Sequence, residues 1–254
     1  MLCIWILGWA GARSDTLAVW NGDWSVELDG DSHRLAAVDH AFGVDLRLES
    51  GRGVTLHGVG GLSRKGGSTG NASQYYSMTR MPTSGRLRVD GAWVAVTGTS
   101  WMDHEFGTTF LETSQVGWDW FSFQLENGTE VMLYRMRRKD GSVDPFSSGT
   151  WVGQDGKARH LPRGAFEVKV LKTWKSKKSG GEYPIRWRVR IPSRRASFLV
   201  DPVFPDQEMI TRKSTKVTYW EGAVRVSGEA EGKPVRGMGY VEMTGYAGAF
   251  RKKI

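Results

Sequence analysis

The chain has 254 residues, with 35 Lys and Arg against 27 Asp and Glu, so its formal net charge is +8. Hydrophobic residues make up 39% and charged residues 24%, a composition that is typical of a globular protein and excludes a disordered one. No apolar run approaches the roughly 20 residues of a membrane span, which argues against an integral membrane protein, and the single cysteine excludes an intrachain disulfide and a thiolate metal cluster.

The first twelve residues resemble an export signal only in part. Residues 2–9 are apolar, and Ala10-Gly11-Ala12 has the small side chains of a cleavage site. The segment has no basic start and is short against the roughly 15–30 residues of a signal peptide. We interpret it as a remnant strand or a displaced start site.

Alternation of apolar and polar residues recurs along the rest of the chain, whereas a sustained helical period is almost absent. Asn-Gly and Asp-Gly pairs such as Asp90-Gly91 and Asn127-Gly128 lie between the alternating segments and supply the positive φ that a tight hairpin needs. Short strands about ten residues apart with such turns predict an all-β antiparallel sandwich or barrel. The segments that predict strands are residues 17–20, 24–28, 44–48, 87–89, 93–96, 120–125, 131–136, 166–170, 187–191, 223–226 and 239–243.

Basic residues cluster in the second half of the chain, around residues 135–139, 172–178, 186–195 and 251–253. One interpretation is attraction to nucleic acid or to an anionic membrane. Residues 186–191 alternate arginine with apolar residues, as a half-buried strand does. Since no nucleic-acid motif accompanies the charge, we favour solvated strand faces and expect no nucleic-acid partner.

The usual motifs for nucleophiles, metals and cofactors are weak here. Residues 66–70 match the letters G-x-S-x-G, but no predicted helix follows Ser68, which the nucleophile motif requires. The five histidines have no metal-ligand spacing, and neither a phosphate loop nor a dinucleotide fingerprint is present. We therefore expect no metal and no cofactor.

The segment WMDHEFG at residues 101–107 has the densest chemistry, and GWDW follows at residues 117–120. On an extended strand Asp103 and Glu105 share one side while His104 points to the other. A carboxyl enclosed among aromatic rings would have a raised pKa and could donate a proton near neutral pH. The alternative is structural, with both carboxylates bonding the backbone or Arg80 beside a plain aromatic core.

Three further segments combine charges with aromatic or polar residues: YYSMTR at 75–80, DQE at 206–208 and YWEG at 219–222. If these groups converge, they would line a mostly apolar pocket with a few polar points, the usual form of a small-molecule site.

The ordered motifs YYSMTR, SWMDHEFG, GWDWFSFQL, YP-x-RW, DQE, YWEG and GYVEMTGY resemble the AttH-like family, which includes carotenoid 1,2-hydratase and proteins described as predicted secreted hydrolases. The resemblance implies two antiparallel lipocalin-like barrels packed together, the first incomplete, with domains at 1–112 and 113–254. It also implies a periplasmic or secreted location and a ligand site near the junction of the barrels.

The resemblance favours a hydratase-like enzyme that adds water to an apolar unsaturated molecule without a cofactor. We assign Asp103 as the proton donor, with Glu105 or His104 orienting it. Other roles are cation stabilisation by Tyr76, Trp101, Trp118 and Trp120, water positioning by Tyr219 and Glu221, and ligand binding by Arg80. The alternatives are a carrier of a lipid-like ligand, associated with a membrane or transporter, and a hydrolase that uses Ser68.

Overall fold

The computed structural model describes residues 8–108, 111–212 and 215–248. It is 65% strand and 3% helical and contains two antiparallel sheets, which confirms the predicted all-β class. Of the apolar segment at the start of the chain, residues 1–7 lie outside the described part. Among the described residues, no helix has the length and apolar character needed to cross a membrane.

The first sheet has nine strands, in the order β1-β2-β3-β4-β5-β8-β6, with β7 and β9 also paired to β8. The strands are β1 (Ala10–Ala12), β2 (Ala18–Asn21), β3 (Trp24–Asp29), β4 (Ser32–Asp39), β5 (Phe42–Glu49), β6 (Thr55–Leu56), β7 (Leu62–Arg64), β8 (Ala72–Val89) and β9 (Ala92–Phe106). The Asp90-Gly91 turn between the two long strands has φ of 49° and 85°, as a tight hairpin requires.

The second sheet has ten strands, in the order β13-β12-β11-β10-β19-β18-β16-β15-β14, with β17 paired to β18. The strands are β10 (Gln115–Leu125), β11 (Glu130–Arg138), β12 (Ser148–Val152), β13 (Ala158–Pro162), β14 (Glu167–Lys175), β15 (Glu182–Ile191), β16 (Ala196–Pro202), β17 (Glu208–Ile210), β18 (Thr218–Ala230) and β19 (Lys233–Thr244). Two single turns of 3₁₀ helix, Arg163–Ala165 and Pro192–Arg194, connect strands.

The chain divides into two compact units. Unit 1 contains residues up to 54 together with 77–103, and unit 2 contains 55–76 and the residues from 104 onward. The domain limits expected from the resemblance, 1–112 and 113–254, stay a prediction.

Unit 1 is poor in buried apolar side chains. Among its described residues only Leu48 and Met81 are buried hydrophobics, whereas Trp24 and Phe42 are 52% and 60% exposed. The alternation that predicted these strands therefore gives a sheet whose apolar side is largely open in this unit.

Unit 2 has a filled interior on one side of the ten-stranded sheet. Phe121, Phe123 and Leu125 alternate along β10 and have no exposed surface, and Trp187 and Trp220 join them from β15 and β18. Their rings meet edge to face, as between Phe121 and Trp187 at 5.5 Å and Trp187 and Trp220 at 6.2 Å. The residues between them along each strand point to the other side of the sheet.

One buried charge belongs to the filled side. Asp119 has no exposed surface and accepts from the guanidinium of Arg135 at 2.6 Å, lies 2.9 Å from the Nε of Arg137, and accepts from the hydroxyl of Tyr246 at 3.0 Å. These partners compensate a carboxylate that would otherwise be very costly to bury.

Candidate functional site

The outer side of three neighbouring strands in unit 2 carries two carboxylates beside two indoles. Trp120 of β10 lies opposite Glu242 of β19, and Glu242 lies opposite Glu221 of β18. Directly opposite residues point to the same side, and neighbouring strands are about 4.8 Å apart. We call the set Trp118, Trp120, Glu221, Tyr240 and Glu242 the carboxylate face.

Hydrogen bonds hold the members of the carboxylate face in place. The Trp118 indole donates from Nε1 to Oε1 of Glu242 at 2.9 Å. The Tyr240 hydroxyl donates to Oε2 of Glu221 at 3.2 Å, diagonally across β18 and β19. Each carboxylate thus has a defined donor, which fixes its orientation on the sheet.

Burial sets the protonation behaviour of this face. It raises the pKa of the Glu221 carboxyl above its ordinary value, and the hydrogen bond from Tyr240 offsets only part of that effect. Burial also raises the pKa of the Tyr240 hydroxyl, and the charge of Glu221 adds to the rise. A carboxyl with a raised pKa keeps a larger protonated fraction near neutral pH, so Glu221 is suited to donate a proton.

Tyr219 is placed beside this face by β18. It lies two residues before Glu221 and opposite Thr244 of β19, whose hydroxyl accepts from the backbone N–H of Trp118 at 3.2 Å. Burial raises the pKa of its hydroxyl, and the charges of Glu242 and Glu221 act in the same direction. Four residues singled out from the sequence, Trp118, Trp120, Tyr219 and Glu221, are therefore brought together.

A buried layer supports Trp120 from β6 and β8. The Trp120 indole donates to the hydroxyl of Tyr75 at 3.0 Å, and the Tyr75 ring lies 4.3 Å from the ring of His57. His57 has no exposed surface, and its Nδ1 is 2.8 Å from Oγ1 of Thr150. Burial, together with the charge of Lys65, lowers the pKa of His57 to about 3, so its imidazole is neutral across the physiological range.

An ion pair lies next to this layer. The ammonium of Lys65 is 2.7 Å from Oε1 of Glu105 and 4.0 Å from the centre of the Tyr134 ring. Glu105 also accepts from the hydroxyl of Ser73 at 2.5 Å. The predicted orienting residue Glu105 is therefore engaged by a cation and a hydroxyl.

His104 and Tyr76, which the sequence analysis singled out for separate roles, contact each other in unit 2. The Nδ1 of His104 is 2.7 Å from the Tyr76 hydroxyl, and the imidazole also packs against Phe106, with ring centres 5.1 Å apart. A proton can pass between an imidazole and a phenol at this distance.

Asp103, Trp101 and Arg80 belong to unit 1. The carboxylate of Asp103 accepts from the buried hydroxyl of Ser77 and from the Trp101 indole at 2.8 Å. Its side chain is exposed, so the expectation that Asp103 is enclosed among aromatic rings is wrong. Alternation along β9 predicts the side of the strand to which Asp103 points, but enclosure depends on residues from other elements. Arg80 is half-buried on β8.

The DQE segment has a structural role in the described chain. Glu208 of the DQE segment accepts from Ser176 at 2.5 Å and from Tyr183 at 2.8 Å, and Asp206 pairs with Lys178 at 3.1 Å. These bonds anchor the connection between β14 and β15. The DQE segment also meets the YWEG segment, as expected: Glu208 lies opposite Trp220, and the backbone N–H of Glu221 donates to the carbonyl of Gln207 at 3.1 Å.

The Ser68 loop lacks the form of a nucleophile elbow. The strand β8 follows it instead of a helix, and the backbone N–H of Ser68 donates to Glu112 at 3.0 Å. Among the described residues, no group of three or more His, Cys, Asp or Glu side chains could hold a metal ion.

The sequence analysis assigned no functional role to five residues of this region: Glu242, Tyr240, Lys65, His57 and Tyr75. Glu242 and Tyr240 lie within the quoted motif GYVEMTGY, where their alternation with Val241 and Met243 was the available signal. Lys65 and His57 come from short strands and loops whose sequence gives no such pattern.

The family model described as AttH-like matches residues 5–246 of the chain. Two solved structures share its fold. An AttH protein from Nitrosomonas europaea is 31% identical, with a TM-score of 0.83 over 92% of this chain and 72% of that one. Kievitone hydratase from Nectria haematococca is 21% identical, with a TM-score of 0.75 over 92% of this chain and 71% of that one.

A third solved structure, CghA with Sch210972, is 12% identical with a TM-score of 0.53 over 94% of this chain and 74% of that one. No curated protein sequence matches the chain. The family match covers nearly the whole chain and confirms the resemblance carried by the sequence motifs. This chain is a member of the AttH-like family.

Proposed function

We propose that this protein is a hydratase-type enzyme that adds water to a carbon–carbon double bond of an apolar small molecule. The observation that carries the proposal is the carboxylate face, where Glu221, with its pKa raised by burial, lies opposite Glu242 and near two indoles. The family likeness to kievitone hydratase supports the same reaction class.

The chemistry follows from the positions of these groups. Glu221 gives its proton to one alkene carbon, and the other carbon becomes a carbocation. The ring faces of Trp118 and Trp120 stabilise that cation by about 0.5–2 kcal/mol each. A water oxygen then bonds to the cationic carbon while a proton of that water passes to Glu242. Glu242 then releases this proton to solvent, and Glu221 takes one up from solvent, so both carboxyls return to their starting forms. The net change is the addition of one water.

The two carboxylates have different tasks in this scheme. The acid must be protonated before the reaction, which the raised pKa of Glu221 favours, and the base must be ionised. Burial raises the pKa of the Glu221 carboxyl. The carboxylate of Glu242 accepts a hydrogen bond from the indole N–H of Trp118, which orients it. Asp103, assigned as the donor from the sequence, remains a competing assignment, with His104 or Glu105 as its orienting residue.

The test is incubation of the full chain with a panel of apolar alkenes in D₂O, followed by mass spectrometry. We expect a product heavier by one D₂O, with one deuterium bound to carbon, and a loss of about 10²–10⁴-fold in rate for Glu221→Gln. Glu229→Gln is the matched control, because Glu229 lies on the same side of the same strand but is exposed.

The variants separate the two assignments of the donor. If turnover is unchanged in Glu221→Gln but is lost in Asp103→Asn, the proton donor is Asp103. Ester cleavage lost in Ser68→Ala, with no water added to any alkene, would instead identify the hydrolase. Ligand binding without any product would identify the carrier, although the described interior of unit 2 is filled by side chains such as Phe121 and Trp187.

We also propose, from the family resemblance alone, that the protein is exported to the periplasm or secreted. Fractionation of cells that express the natural gene tests this, and recovery of the protein with the cytoplasmic markers would contradict it.

A further inference from the structure

The outer side of β14 and β15 in unit 2 carries basic residues in lateral register. Lys169 of β14 lies opposite Arg188 of β15, and Lys172 lies opposite Arg186. All four are exposed, while Trp187 between the two arginines and Val189 after them are fully buried. We call Lys169, Lys172, Arg186 and Arg188 the basic ladder.

Within the part of the chain that the structure describes, the basic ladder is only partly neutralised. Like charges directly opposite one another on a sheet destabilise it. Arg186 pairs with Asp201 at 2.7 Å, but among the described residues Lys169, Lys172 and Arg188 have no ion pair within 4.0 Å. The arrangement therefore leaves three uncompensated cations side by side on two adjacent strands, where an anionic surface would relieve their repulsion.

One exposed apolar side chain lies beside these cations in sequence. The pairing of β14 with β15 shifts register between Val170 and Lys172, so Leu171 has no partner on β15, and it is 39% exposed. Val170 lies opposite Trp187 and therefore points to the filled side. The aromatic rings of these strands, Trp174, Tyr183 and Trp187, pack against the core instead of facing outward.

We propose that the basic ladder is a docking surface for the anionic headgroups of a lipid bilayer. Cations beside an exposed aliphatic side chain complement a surface that is negative outside and apolar just below, and each basic residue near such a surface strengthens binding. Single-stranded nucleic acid would instead favour exposed rings on which bases stack, and the rings of this face are turned inward.

The docking surface lies on the same side of the sheet as the carboxylate face. Arg225 on β18 is four residues beyond Glu221, about 13 Å along the strand, and lies opposite Asp201, the partner of Arg186. A bilayer bound at the ladder would bring an apolar substrate dissolved in it close to the sheet that carries Glu221. The proposed docking does not depend on the proposed reaction.

The experiment is co-sedimentation of the full chain with phosphatidylcholine vesicles that contain or lack phosphatidylglycerol. We expect binding to the anionic vesicles that weakens with salt. The triple variant Lys169→Gln, Lys172→Gln, Arg188→Gln should bind roughly 10²-fold more weakly, because each basic residue contributes about a five-fold factor. The control variant Lys139→Gln, Lys157→Gln, Lys233→Gln has the same net charge, removes exposed cations elsewhere, and should bind as the unmodified chain does.

Three results would overturn the proposal: no binding to the anionic vesicles, equal weakening in the triple and control variants, or binding that is equally strong without phosphatidylglycerol. A single-stranded oligonucleotide is tested alongside. Oligonucleotide binding that the triple variant loses, without any vesicle binding, would assign the ladder to nucleic acid. Circular dichroism of each variant shows whether the fold is retained, and Leu171→Ser tests the apolar contribution separately.

Discussion

Protonation of His57 should make unit 2 unstable in mild acid. Its pKa is lowered from 6.5 to about 3 in the folded chain, because the imidazole has no exposed surface and Lys65 is nearby. The unfolded chain binds this proton more readily than the folded one. The contribution to stability is therefore complete above pH 6.5 and is lost as the pH falls toward about 3.

The magnitude follows from the difference between the two pKa values. Each pH unit below 6.5 costs about 1.4 kcal/mol of unfolding free energy, so a fall from pH 6.5 to about pH 5 should cost about 2 kcal/mol. Most carboxyls titrate below this window and contribute little to the slope. The loss is a large part of the about 5–15 kcal/mol that stabilises a typical domain.

The assay is urea unfolding at several pH values between about 5 and 7.5, followed by the fluorescence of the buried indoles of Trp151, Trp187 and Trp220, which report on unit 2. His57→Gln should begin less stable at neutral pH but lose the steep dependence below pH 6.5. His40→Gln is the control, since its imidazole is 96% exposed, and should keep the slope of the unmodified chain. Equal slopes for all three proteins in this window would refute the reasoning.

Further substitutions test the contacts around the site and the core by the same urea unfolding. Tyr75→Phe removes the acceptor of the Trp120 N–H and should cost about 1–3 kcal/mol; no loss would show that this bond is not needed. Asp119→Ala leaves the guanidinium of Arg135 without its buried partner and should cost about 3–5 kcal/mol, and a neutral result would contradict the burial of this pair. Trp187→Ala should cost about 3–5 kcal/mol, and a small loss would mean that the core collapses around the gap.

The alternation of apolar and polar residues was enough to predict many of the strands and the all-β class. Residues 187–191 predicted a half-buried strand, and Trp187 and Val189 are buried while Arg188 is exposed, as the pattern indicated. The Asp90-Gly91 pair likewise predicted the hairpin turn that the structure contains. By contrast, Ser148–Val152 was missed, because both of its sides are buried and its sequence shows no alternation.

The candidate site was predictable only in part, because lateral register is not local in sequence. Glu221 and Glu242 are 21 positions apart, and their proximity depends on β18 and β19 pairing at Glu221↔Glu242. A shift of one residue would have turned one carboxylate to the filled side. The solvent exposure of a side chain is equally non-local. Alternation predicted the side of the strand to which Asp103 points, but the exposure of its carboxylate depends on other parts of the fold.

In unit 2 the filled interior lies on one side of the sheet and the carboxylate face lies on the other, so folding stability and the candidate site depend on different residues. In a barrel that holds its ligand inside, the same interior residues must provide both ligand affinity and folding stability. Here Trp151, Trp187 and Trp220 occupy that volume, and the wall outside carries Glu221 and Glu242. Under the proposed function, substitutions along this wall should change substrate preference at little cost to the stability of the core, whereas replacing the central rings with smaller side chains should open a cavity at a large cost.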